Sequence, residues 1–176
     1  MLLIPGKCAF LCIPKCGTTW IQTLCAENRL GAVQVGGKHG AGRVADVPHF
    51  TAVRNPRRWL PSIYEQWKIG PIYFAEGLWH ESPNGDFTSF VKHYLRYPGI
   101  IGRTFSIYTD CADVVGDRAT LTDDVCDFLE ACGVERPKTL SPPQNVTKSL
   151  PEWPEGLFDR LRESEHTLFQ LHPDWK

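Results

Sequence analysis

The apolar positions of this chain fall into a few patterned runs separated by glycine- and proline-rich breaks. "KCAFLCI" (7–13) is continuously apolar after its lysine and predicts a central strand of a parallel sheet, buried on both faces. From Thr18 to Leu30, Trp20, Ile21, Leu24 and Cys25 recur at helical spacing, with Gly31 as the expected stop. The glycine-rich segment 31–42 predicts a loop. "HFTAVRNP" (49–56) predicts a second strand, closed by Asn55-Pro56. "RRWLPSIYEQWK" (57–68) then places Trp59, Leu60, Ile63, Tyr64 and Trp67 on one helical stripe, which tolerates Pro61 in its first turn.

Residues 69–85 predict an exposed aromatic loop, 86–97 a helix, and 112–121 a short strand and turn. "TLTDDVCDFLEACG" (120–133) is the clearest helix. Threonines can cap it, Asp123 and Asp124 suit its positive end, and Leu121, Val125, Phe128 and Leu129 form its stripe up to Gly133. Residues 141–154 read as loop and 155–171 as one final helix. Strands followed by helices predict an α/β fold: one domain over 1–176, in three layers, with a central parallel sheet flanked by helices.

Composition narrows the classes without choosing among them. The 176 residues, 42% hydrophobic and 22% charged, are ordinary for a globular chain with a real core. No apolar run of about 18 residues spans a membrane, and the opening "MLLIPGKCAFLCI" is broken by Pro5 and Lys7, so it reads as structure rather than a leader. Seven cysteines are odd in number and unpaired in rhythm, which points to reduced thiols in a cytoplasm. Cys8, Cys12 and Cys16 are four apart, but buried strand cysteines explain the first two better than a metal does. The net charge of −1 hides an asymmetry. Residues 1–70 carry nine Lys/Arg against three acids, and the remainder ten against seventeen. A basic first half suits a small polyanion, whereas the overall balance does not suit a nucleic-acid-coating protein.

The chemistry concentrates in "FLCIPKCGTTWIQ" (10–22), where a buried strand turns directly into a helix. Such a corner leaves the first helical N–H groups unpaired and the positive dipole end open, a natural anion site. Gly17 lets backbone approach a ligand, Thr18 and Thr19 add hydroxyl donors, and Lys15 adds a movable charge. The corner is not a Walker A loop, since the nearest candidate, "GGKHG" (36–40), has His39 where a hydroxyl belongs. Nor is it a cysteine-x₅-arginine cradle, because Thr18 stands where Cys12 would require arginine. Arg54 falls at the carboxyl end of its strand, the ligand edge of open α/β sheets.

"PKCGTTW" (14–20) resembles the 5′-phosphosulfate loop of the sulfotransferase family, P-K-x-G-T-T-W. "VRNPRRWLPSIYEQW" (53–67) resembles that family's 3′-phosphate segment, with Arg54 and Ser62 at the same eight-residue interval. The resemblance is close over residues 8–68 and loose beyond. It implies a P-loop NTPase-like fold and transfer of a sulfuryl group from 3′-phosphoadenosine 5′-phosphosulfate (PAPS) to an acceptor hydroxyl, with adenosine 3′,5′-bisphosphate (PAP) as product and no metal required. It further implies that Lys15 stabilises the leaving bridging oxygen and that Cys16, Gly17, Thr18 and Thr19 donate to the same group. Trp20 would stack near the adenine, and Arg54 and Ser62 would hold the 3′-phosphate.

For the base that accepts the acceptor's proton, His39 is the first choice, with His49 and Glu27 as rivals. Asn145, Thr147 and Lys148 sit where relatives return a loop to the nucleotide. Arg57 and Arg58 read equally well as a solvated helix start. The chain has no R-K-G-x-x-G-x-W-K segment. The aromatic stretch 64–80 could line a pocket for a phenol, present a stacking face to a sugar, or form a homodimer surface. Expected partners are thus a small-molecule or carbohydrate acceptor, with neither nucleic acid nor membrane. Two other readings stay open: a small nucleotide or metabolite kinase with an atypical P-loop, and a non-catalytic nucleotide-binding module.

Overall fold

A computed structural model describes residues 1–70, 85–142 and 149–175. Its centre is the strand expected at 7–13, seen as β2 (Cys8–Leu11). Side chains of a strand alternate between faces, and here both faces are apolar. Cys8, Phe10 and Cys12 enter one core layer, Leu11 and Ile13 the other. The second strand, β4 (His49–Val53), divides in the same way, with Phe50 and Ala52 on one side and Val53 on the other.

Each layer is closed by helices. α1 (Thr18–Glu27) and α5 (Leu121–Ala131) cover the first face. α2 (Pro56–Trp67), α3 (Phe87–Tyr94), α4 (Ile100–Thr109), α6 (Leu157–Ser164) and α7 (His166–Leu171) cover the second. The architecture is therefore α/β, a central sheet flanked by helices, as the sequence implies.

The sheet is mixed rather than purely parallel. Its order is β3-β1-β2-β4-β5, with β1 (Leu2–Ile4), β3 (Val33–Gln34) and β5 (Val114–Asp117) as the additional strands. β2, β4 and β5 run parallel, while β1 pairs antiparallel with both β2 and β3. The reason lies at Pro5-Gly6. Gly6 takes φ 67 and Lys7 N–H donates to Ile4 O at 3.0 Å, closing a tight hairpin. The glycine-rich 31–42 segment is loop except for β3, which the free edge of β1 recruits.

Four other expectations change. The unpredicted α4 occupies residues 100–109. Pro61 lies inside α2 rather than in its first turn; its missing N–H leaves Arg57 O free, and Trp153 Nε1 donates to that oxygen at 2.9 Å. Thr120 does not cap the backbone of α5, because its hydroxyl donates to Asp124 Oδ2 at 2.7 Å. The final helix is two helices, broken at Glu165. That carboxylate is 2% exposed and accepts the N–H groups of Ile101 and Gly102, both at 3.0 Å, so it caps α4 from a distance. Burial pushes its carboxyl up, and the two N–H bonds oppose the shift. Most of the aromatic stretch, 71–84, lies outside the described residues, as do Asn145, Thr147 and Lys148.

Candidate functional site

The carboxyl ends of β2, β4 and β5 meet the amino end of α1, and the sequence-predicted corner stands there. It is a braced turn. Cys16 N–H donates to Ile13 O at 3.2 Å, Thr18 Oγ1 donates to the same oxygen at 3.3 Å, and Lys15 is held at φ 65. A left-handed backbone at a long side chain is unusual and costs stability. Two contacts from the neighbouring motif hold it: Trp59 Nε1 donates to Pro14 O at 2.9 Å, and Arg54 Nη1 donates to Lys15 O at 3.2 Å.

Gly17 is required twice over. Its φ of 110 suits only glycine, and a Cβ there would sit 2.3 Å from Leu121 Cδ2. The absence of a side chain therefore also lets the turn pack closely against α5. The α1 ladder begins with Ile21 N–H on Gly17 O at 3.1 Å, so Thr18, Thr19 and Trp20 N–H have no intrahelical acceptor.

Cations collect around this open helix end. Lys15 Nζ lies 3.4 Å from the neutral Gln66 Oε1. Burial lowers the Lys15 pKa, and the charges of Arg54 and Lys38 lower it further. Burial likewise lowers that of Arg54, with Arg118 and Arg58 acting in the same direction. Among the described residues neither Lys15, Lys38, Arg54 nor Arg118 forms an ion pair. Arg118 lies in the segment 112–121, whose sequence predicts only a short strand and a turn. The signal available was its position, the first residue beyond a parallel strand, the same as that of Arg54.

His39 also reaches this edge. Its Nδ1 is 2.8 Å from Cys12 O. A carbonyl only accepts, so Nδ1 carries the hydrogen and Nε2 keeps the lone pair. Burial lowers the pKa of the ring, partly opposed by that bond, and the neutral form dominates at pH 7. Tyr108 donates its hydroxyl to His39 O at 2.8 Å and fixes the loop.

The rivals lie elsewhere. His49 begins β4, at the opposite end of the strand from Arg54. It is 0% exposed, and its Nε2 accepts Val44 N–H at 2.8 Å. Glu27 ends α1, roughly 13 Å along the helix from Thr18 at about 1.5 Å per residue, and accepts from Ser141 Oγ at 2.6 Å.

The remaining predicted residues divide. Cys16 is buried and its thiol pKa is pushed up by burial. Trp20 is in the core layer under α1 and α5, with Nε1 donating to Ser141 O at 2.9 Å. Ser62 is buried on α2. Arg57 stacks over the Phe158 ring at 4.8 Å, while Arg58 is exposed. Cys8 and Cys12 are buried in one layer and Cys16 in the other. Among the described residues no group of three His, Cys, Asp or Glu side chains could hold a metal, and no helix is long and apolar enough to cross a membrane.

A depression of about 310 Å³ borders the far half of α1, lined by Leu2, Gln22, Cys25, Ala26, Arg29 and Ala32. It shares no residue with the corner and contains one charged side chain, so the cation cluster is the stronger candidate. No protein-family model, curated protein or solved structure matches the chain.

Proposed function

We propose that this chain is a sulfotransferase that uses PAPS as donor and an acceptor hydroxyl as nucleophile. The observation that carries the reading is the pairing of two motifs at one edge: Lys15 and Arg54, cations with no ion pair among the described residues, joined by the Arg54 Nη1 bond to Lys15 O. In the proposed reaction the acceptor oxygen attacks sulfur, and the bond between sulfur and the bridging phosphate oxygen breaks in line. His39 Nε2 takes the acceptor's proton. Lys15 and the free N–H groups of Thr18 and Thr19 stabilise the charge that grows on the leaving phosphate. Arg54 holds the 3′-phosphate. The products are a sulfate ester and PAP, and no electrons change hands. Trp20 is left out of this reading because its ring is committed to packing.

The test is a thermal-shift titration with PAP and, separately, with ATP and magnesium, followed by transfer of labelled sulfate from PAPS to phenols, alcohols and sugars. A ligand that binds the folded chain raises its melting temperature. The expected result is a shift with PAP that Arg54→Ala weakens, and label in an acceptor. A shift with ATP and magnesium but none with PAP would favour the kinase reading instead. A PAP shift with no transfer to any acceptor would favour a binding module.

A further inference from the structure

Arg118 stands at this edge without a role in the reaction above. The parallel register pairs Val53 with Asp117, and Arg118 N–H donates to Val53 O at 2.8 Å. Arg54 and Arg118 therefore leave adjacent strand ends side by side, where neighbouring strands are about 4.8 Å apart. The stem of Arg118 then crosses the corner, since a Cβ placed on Gly17 would lie 3.5 Å from Arg118 Cδ. Arg118 thus bonds the backbone just before Arg54, and its side chain runs beside the turn just before α1.

Two carboxylates in the neighbourhood are engaged elsewhere. Asp117 accepts Ala119 N–H and Trp175 Nε1–H, both at 2.7 Å. Asp124 accepts Asp117 N–H at 3.0 Å and the Thr120 hydroxyl. Like charges facing each other on adjacent strands are destabilising, and no described carboxylate pairs with either arginine. A multiply charged anion is the chemistry that would relieve them.

We infer that Arg118 is an anion-binding residue that closes the site between the Lys15 corner and Arg54, and that with Arg54 it selects nucleotides bearing a second phosphate group. The inference rests on the nucleotide reading above. It makes the site a counter of charges: PAP is held by three cations from three strand ends, and adenosine 5′-monophosphate engages fewer of them.

Titration calorimetry of the wild type, Arg118→Ala and Arg118→Lys, with PAP and with adenosine 5′-monophosphate, tests it beside the unliganded melting temperatures. Arg118→Ala is expected to weaken PAP binding about 10–100-fold, the range of a lost charge-assisted contact, and monophosphate binding less. Arg118→Lys recovers part of the loss, because an ammonium cannot fork. The unliganded melting temperature stays level or rises as repulsion is removed, whereas loss of a purely structural arginine would lower it. PAP affinity within twofold of wild type in Arg118→Ala overturns this inference alone. So does a loss of affinity that only tracks a fall in melting temperature. A wild-type protein that binds no PAP overturns the nucleotide reading and this inference together.

Discussion

The two ends of β4 and β5 treat charge in opposite ways. At the amino ends, Arg43 grips Asp113 through Nη2 at 2.7 and 2.9 Å, Asp113 also accepts His49 N–H at 2.8 Å, and His49 in turn accepts Val44 N–H. The charges there are paired and tie the loop before β4 to the sheet. At the carboxyl ends Arg54 and Arg118 face the Lys15 corner with no carboxylate bound to them among the described residues. The same strands supply both arrangements, so fold requirements alone do not explain the second. The paired charges serve the fold, whereas cations without a carboxylate partner among the described residues, set beside an open helix end, are what the proposed anion site rests on.

Substitutions at the two ends should separate these roles. The largest effect is expected for His39→Ala, a loss of about 10²–10⁴-fold in sulfuryl transfer with PAP binding retained. Wild-type turnover in that variant would remove His39 from the mechanism. The pH profile carries the same information. Burial holds the His39 pKa below 6.5, so the rate should persist as pH falls to that value and drop about tenfold per unit only below the lowered pKa. An acid limb centred above pH 6.5 would argue for a different base.

Next comes Lys15→Ala, expected to slow transfer about 10²–10³-fold and to reduce the PAP-induced thermal shift without abolishing it. Equal rates would deny it a part in stabilising the leaving group. The smallest effect is expected at the other end. Asp113→Ala should lower the melting temperature by a few degrees, at about 2–4 °C per kcal/mol for a chain of this size, without changing PAP affinity. The Arg43 guanidinium and the His49 N–H hold the Asp113 pKa below 3.8. Its contribution is therefore present above that value and lost as pH falls through the folded pKa, and exposure to solvent keeps it small. A PAP affinity that falls with Asp113→Ala would erase the contrast between the ends.

Much of the frame is legible from residue pattern, and the gaps have physical causes. β2, β4, α1, α2 and α5 follow from period and punctuation. α4 is hidden because Gly99, Gly102 and the β-branched Ile100, Ile101 and Thr104 disfavour a helix locally. The stripe Ile100, Ile101, Thr104, Phe105, Tyr108 was its available sign, and burial of those residues overrides propensity. β1 is announced only by Pro5-Gly6. The break at Glu165 depends on a contact 64 positions away and leaves no local trace. In the site, residue identity and order point to Lys15, Gly17 and Arg54 directly. Burial of Trp20 and Ser62, and the arrival of Arg118 over Gly17, depend on how α1, α2 and β5 are brought together.

Pro61 and Trp153 carry a consequence for the order in which the molecule comes into being. The indole that satisfies the Arg57 carbonyl is 96 positions further along the chain. At synthesis rates of about 5–20 residues per second, α2 emerges roughly 5–20 s before its missing partner exists. Until then the helix that follows Arg54 is unfinished, and the segment that carries Trp153 acts as a latch fitted after the frame is already standing.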